Sequence, residues 1–233
     1  MRIGESANEG VSVSHPVSGR LISVQVGQPE RRETVRGHVW ESAIGKVPVT
    51  GKVAVGPENV AGDRQANRKY HGGPTKAVCG YSVEHFAEWN REFDLDLPGG
   101  AFGENITVAG LTEEVLCLSD LLAVGSVLLR VTQPRMPCVN VARRWNRPEL
   151  PDRMRETGRT GFYCSVERTG EIEAGDAITV LERPLPDWTL RRCNRALYDE
   201  AAPTEERHAL RLLPGLTDEW KRALTRKIRQ GEA

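Results

Sequence analysis

Residues 132–140 read TQPRMPCVN, and Cys138 within it combines a soft nucleophile with a rigid, cationic setting. A cysteine thiolate can attack an electrophile or ligate a metal, and its pKa falls beside positive charge or at the start of a helix. Pro134 and Pro137 fix the backbone on either side of Arg135 and Met136. Arg143 and Arg144 follow closely, in a VNVARRW segment with helical character. The context supports a reactive thiol or metal ligand as well as a packed cysteine at a strand–helix junction, and both readings stay open at this point.

Three further stretches could carry ligand chemistry. In GDRQANRKYHGGPTKAV, residues 62–78, Arg68, Lys69, His71 and Lys76 could supply donors to an anion. Gly72 and Gly73 would let the backbone approach it closely. The plainer reading is a surface loop with solvated charges. In PGGAFGENITV, residues 98–108, Asn105 could read the polar edge of a heterocycle or brace a neighbouring loop. In ETGRTGFYCSV, Arg159 sits between two glycines before a strand, as an anion contact or a turn residue.

Several reaction classes lack their signatures. No GxxxxGK[ST] or GxGxxG loop is present, and no GxSxG elbow or HExxH helix. The cysteines Cys79, Cys117, Cys138, Cys164 and Cys193 form no CxxC pair, which argues against a disulfide framework or a structural zinc site. Cys117, Cys164 and Cys193 read as core. Lys+Arg and Asp+Glu both number 32, so nothing in the overall charge attracts nucleic acid or an anionic membrane. No run is long and apolar enough for a signal peptide or membrane span, and the expectation is a cytoplasmic protein.

The elements that must position these residues are mostly strands. From Gly19, short β-prone runs alternate with Gly/Pro punctuation: GRLISVQVG, KVPVTGKVAVG, KAVCGYS, ENITVAG, EEVLCLSDLLAVGSVLLRVTQP, TGFYCSVERTG and GDAITVLERP. Such spacing predicts a mainly β fold, a barrel or sandwich, over 19–185 after a loose leader at 1–18. Helices are expected over 82–93, from Pro137 or Cys138 through VARRW, and in LPDRMRET. From Thr189 onward the periodicity is helical, with breaks at Pro186 and Pro214-Gly215, so 186–233 reads as a small three-helix domain. It is too short to be secure alone and should pack on the barrel or a partner.

Taken in chain order, GDRQANRKYHGGPTKAV, PGGAFGENITV with EVLCLSD downstream, VGSVLLRVTQPRMPC and TGRTGFYCSV resemble the MOSC domain, named for the C-terminal domain of molybdenum cofactor sulfurase. Within that family they are most similar to the stand-alone YiiM-like subgroup. The likeness covers about 19–183, and the trailing helices are similar to the helical domain of that subgroup. It implies a MOSC-type β-barrel holding molybdenum cofactor, with Cys138 as the thiolate ligand to molybdenum and the catalytic residue. Contacts to the pterin and its phosphate would come from His71, Lys76, Arg135 and Arg159 with the backbone of Gly72 and Gly73, and a polar contact from Asn105. Asp63 would donate a proton or orient a basic side chain.

The resemblance also implies reduction of N-hydroxylated compounds such as hydroxylaminopurine base analogues, a detoxifying activity. Electrons would come from an external flavoprotein or ferredoxin-type reductase, since the chain carries no flavin, nicotinamide or iron–sulfur motif. Descriptions of the family further include molybdenum ion and pyridoxal phosphate binding, and a cysteine persulfide that carries sulfur; such a carrier, without reductase turnover, is the alternative. The subgroup often has Asp at the places of Asn67 and Thr75 and an aromatic–Lys pair where this chain has Val139-Asn140. Those departures bear on the substrate side. The apolar helical tail suggests a homodimer.

Overall fold

The computed structural model describes residues 17–231. Strands β1 (Ser18–Val26), β2 (Glu30–Glu33), β3 (Val39–Ser42), β4 (Val47–Val49) and β5 (Val53–Val55) come first. Helix α1 (Arg68–His71), β6 (Val78–Ser82), α2 (Phe86–Phe93) and β7 (Ile106–Ala109) follow. Then come β8 (Leu121–Val124), β9 (Val127–Pro134), α3 (Val139–Trp145), α4 (Leu150–Thr157), β10 (Phe162–Arg168), β11 (Gly170–Ile172) and β12 (Ala177–Glu182). The chain ends in α5 (Leu190–Tyr198), α6 (Thr204–Leu212) and α7 (Asp218–Gly231). Of the expected leader, residues 1–16 lie outside the described residues, and Ser18 already opens β1.

Seven strands close a barrel in the order β12-β8-β9-β10-β6-β7-β1, with β1 pairing back onto β12. All neighbours are antiparallel except β6 and β7. β1 is long enough to serve two partners on one edge: Ser18–Arg20 pair with β12 and Val24–Val26 with β4. Its register against β7 shifts between Leu21 and Ser23, a bulge that leaves Ile22 exposed. Inside the barrel pack Leu21, Val24, Val78, Ile106, Val108, Leu129, Val131, Phe162 and Ile178. The alternation visible in β5 and in the first half of β9 arises because one face of each strand meets this core. Gly80 opposes Phe162 on β10; a Cβ there would sit 2.3 Å from the ring, so glycine is what lets the barrel close on that ring.

Two further clusters flank the barrel. Tyr81, Phe86, Trp89, Phe102, Val141, Leu150 and Met154 join α2, α3 and α4 to one side. In the second cluster, Leu118 and Met136 meet Cys193, Leu197, Leu210, Leu216, Trp220 and Leu224 of the C-terminal segment. The three helices therefore pack on the barrel: Trp220 Nε1 donates to the carbonyl of Pro134 at 2.9 Å and Thr217 Oγ1 to Gln133 Oε1 at 2.5 Å. Among the described residues, no helix is long and apolar enough to cross a membrane.

Two features depart from expectation. The β2–β3 hairpin was not predicted, because ERRE and VWES carry charge on their outer face and only Trp40 and Ser42 turn inward. The EEVLCL portion expected as strand is a turn with one bridge, Cys117 to Thr189. Asp120 causes the turn: its carboxylate accepts from the Cys117 amide at 2.9 Å and from Arg183 at 2.7 Å.

Candidate active site

Cys138 stands where β9 has ended and α3 has not begun. Arg135 N bonds to the Gly161 carbonyl at 2.9 Å, which carries the barrel ladder one residue past β9. Arg155 Nη2 of α4 holds the Pro137 carbonyl at 2.9 Å. The corner is thus clamped from both sides, and Cys138 becomes the N-cap of α3 in extended conformation, one residue earlier than the first helical turn. Its thiol is half-buried. Burial alone would raise its pKa, but a hydrogen bond from His71, the Arg135 charge, the His71 charge and the Asn140 amide together bring it down to about 6. A thiol lowered this far favours the thiolate at neutral pH. Burial instead raises the Cys79, Cys117, Cys164 and Cys193 thiols, Cys117 to about 11.

Cys138 opens into a cavity of about 260 Å³. Its basic lining is Lys46, Arg64, His71, Lys76, Arg135 and Arg143, against one acid, Glu41. Arg135 is 4% exposed, and its Nη1 lies 4.0 Å from Cys79 Sγ. Burial works against its charge, yet the facing Cys79, Tyr163, Cys138 and Glu104 hold the guanidinium charged. Lys46 Nζ pairs at 2.5 Å with Asp63, whose other oxygen accepts the Gly27 amide at 2.8 Å. Lys76 Nζ reaches Glu219 of α7 at 2.5 Å and the Tyr70 carbonyl at 2.8 Å, above the Tyr163 ring. A concave, positively charged chamber with one depressed thiol suits an anionic ligand that also carries an electrophilic or thiophilic centre.

Five residues singled out in the sequence come together here: His71, Lys76, Asn105, Arg135 and Cys138. Asn105 has its side chain committed to structure. Its Oδ1 accepts the Cys79 amide at 3.1 Å and its Nδ2 points to the Gln25 carbonyl, tying β6 to β1. Gly72 faces a separate groove beside Glu219, and Gly73 lines neither. Arg159 is the clear correction. Gly158 ends α4 in left-handed conformation, and Arg159 then pairs with Glu88 and stacks over Trp89 at 5.5 Å, away from the cavity. Arg144 also turns away, donating to the carbonyls of Ile44 and Gly100. Sequence reasoning missed Lys46, Cys79, Tyr163 and the Glu41–Ser42 wall. A lone lysine in the apolar run SAIGKVPV was the available signal for Lys46, since an unpaired lysine rarely enters such a run.

Comparison with known proteins gives this geometry a family. The MOSC domain model matches residues 67–179. YflK of Bacillus subtilis is 34% identical over 207 residues, 89% of this chain and 93% of YflK. A Gibberella moniliformis protein named "Reductase" is 34% identical over 78% of this chain, which spans only 33% of that longer protein. The crystal structure of YiiM from Geobacillus stearothermophilus superposes with a TM-score of 0.76 at 32% identity, covering 90% of this chain and 99% of that one. Barrel, thiol corner and cationic cavity thus fall within one known lineage, and the chain belongs to the MOSC domain family, in its YiiM-like branch.

Proposed function

We propose that this protein is a molybdenum-cofactor-dependent reductase of N-hydroxylated compounds, with Cys138 as the protein ligand to molybdenum. The observation that carries the reading is the depressed thiol of Cys138 inside the cationic cavity. No group of three or more His, Cys, Asp or Glu side chains among the described residues could hold a metal. A metal here would have to arrive with most of its own ligands, as molybdenum does on a dithiolene-bearing pterin, and one soft thiolate completes that set. The cofactor's phosphate and pterin are anionic and polar, which the lining of Lys76, Arg135, Arg143 and His71 fits. Bound there, the cofactor would supply two-electron redox chemistry.

The chain's own residues would do the rest. Arg135 and His71 hold Cys138 ionised, so that the ligand sulfur needs no further deprotonation. Val78–Ser82 and Phe162–Arg168 form a rigid wall behind the cavity, so the thiol is aimed by barrel strands rather than by a loop alone. Electrons come from a separate flavoprotein or ferredoxin-type donor. The name "Reductase" of the Gibberella relative agrees with this class of activity.

A second reading rests on the same thiol: Cys138 carries a persulfide and passes sulfur on, without reducing a substrate. Expression in a host that makes molybdenum cofactor decides between them. Wild-type protein is expected to carry molybdenum and pterin, to lose both in Cys138→Ala and to keep them in Cys193→Ala. Protein free of molybdenum and pterin, with Cys138→Ala leaving the host's resistance to 6-N-hydroxylaminopurine unchanged, would sink the reductase reading. Cyanide-labile sulfur on Cys138 of that metal-free protein would establish the carrier instead.

A further inference from the structure

We propose that Lys46, held on Asp63, is the acid that protonates the oxygen leaving the substrate. This role rests on the reductase reading above. Lys46 is buried beside the same cavity that Cys138 opens into, with Cys79, Asn105 and Arg135 also on its wall. An ammonium has three donor hydrogens. Among the described residues, Lys46 Nζ spends one, on Asp63 at 2.5 Å. Burying a cation beside a cavity with donors unspent is costly unless a ligand completes them. Asp63 is in turn fully buried and fixed: Oδ1 takes the Gly27 amide, and Gln65 Nε2 approaches Oδ2 at 3.3 Å. The pair is a stationary proton source aimed at the cavity, and Lys46 contributes nothing to any helix cap or strand ladder through its side chain.

The chemistry requires such a source. Reduction of R–NH–OH to R–NH2 and water consumes two electrons and two protons. The N–O bond breaks, and the two electrons, which the cofactor would supply when bound, end on nitrogen. The departing hydroxide takes a proton from Lys46 Nζ and leaves as water; the nitrogen takes the second proton from solvent. Neutral Lys46 is then reprotonated from water through the open side of the cavity.

The other groups on the wall serve this less well. Arg135 does not release its proton. Lys76 is engaged with Glu219, the Tyr70 carbonyl and the Tyr163 ring. His71 faces the Cys138 sulfur. Burial pushes the Tyr163 phenol up, away from acid function. For Lys46 burial lowers the ammonium pKa, against the opposing pull of Asp63, Cys79 and Glu104, which are the charged and titratable groups facing it. That direction makes it a better proton donor than a solvated lysine.

Holoprotein from a cofactor-competent host provides the test, with 6-N-hydroxylaminopurine as substrate and chemically reduced methyl viologen as electron source. Lys46→Arg keeps the charge and withholds the proton; Lys46→Gln removes both. Each variant is expected to retain molybdenum within twofold of wild type while kcat falls about 100-fold or more, with KM nearly unchanged. A kcat for Lys46→Arg within threefold of wild type overturns the role, as does loss of molybdenum in proportion to activity, which would make Lys46 a cofactor contact. A second readout needs no cofactor: competitive acetylation followed by mass spectrometry should titrate the Lys46 amine below the ordinary lysine range, and further down in Asp63→Asn. An amine titrating like the surface Lys52 overturns the proposal. Wild-type protein that binds no molybdenum and reduces nothing overturns the reductase reading and this role with it, whereas active wild type matched by Lys46→Arg overturns this role alone.

Discussion

Arg135 and Arg207 are buried to the same depth, each 4% exposed, and are used in opposite ways. Arg207, in the C-terminal lobe, donates through Nε to the Ala196 carbonyl at 3.0 Å and through Nη2 to the Asp199 carbonyl at 2.7 Å. It thereby closes the C-terminus of α5, where carbonyls otherwise lack partners. Arg135, which lines the cavity, has the Cys79 sulfur at 4.0 Å as its one side-chain hydrogen-bond partner among the described residues. A buried cation whose donors go to backbone carbonyls is architecture, while one that lines a cavity without such partners is placed to meet a ligand.

The largest effect should come from breaking the lobe. Trp220 is fully buried and its indole donates to Pro134, directly before the Cys138 corner. Trp220→Ala is expected to cost about 3–5 kcal/mol in urea unfolding. Arg207→Met, which strands the α5 carbonyls, should cost about 2–4 kcal/mol. Arg135→Met, by contrast, should cost under about 1 kcal/mol, because burial works against the charge it removes and the guanidinium donates to no carbonyl or carboxylate among the described residues. Equal losses in the two arginine variants would dissolve the comparison.

A third effect separates the thiols. Cys138 should react with iodoacetamide along a pH curve with its midpoint near 6, because the reactive thiolate populates above that pKa. Cys164 and Cys193, pushed up by burial, should stay inert in folded protein through pH 8. Arg135→Met removes a charge that favours the thiolate, so the midpoint should move upward; an unmoved midpoint would show that His71 and the Asn140 amide suffice without it.

How much of this was legible in the chain follows from local physics. Strands such as Val78–Ser82 and the helices after Thr189 announce themselves by apolar spacing and by Gly and Pro punctuation. Cys138, His71, Lys76 and Arg135 could be grouped because their motifs resemble a family's, while spacing alone left each open. What stayed hidden was tertiary. Nothing near Arg159 in sequence says that Glu88 and Trp89 will take its guanidinium. Nothing near Lys46 says that Asp63, 17 residues further on, will hold it. The β2–β3 hairpin was missed because its charged outer face masks the alternation of Trp40 and Ser42.

The smallest effect lies where the two regions meet. Glu219 belongs to the lobe and Lys76 to the cavity, so their ion pair spends on architecture a cation that could face a ligand. Glu219 is a third exposed, and removal of its charge should change stability by no more than about 1 kcal/mol. Its electrostatic consequence is directional. In Glu219→Gln the Lys76 ammonium loses its counter-charge and keeps only the Tyr70 carbonyl and the Tyr163 ring. Pyrophosphate, as a probe anion for the cofactor-free cavity, should then bind a few-fold more tightly in calorimetry, with the gain shrinking as salt is raised. Weaker binding in Glu219→Gln would mean that the lobe's carboxylate positions Lys76 for the anion rather than competing with it, and the line between spent and waiting cations would run on the other side of Lys76.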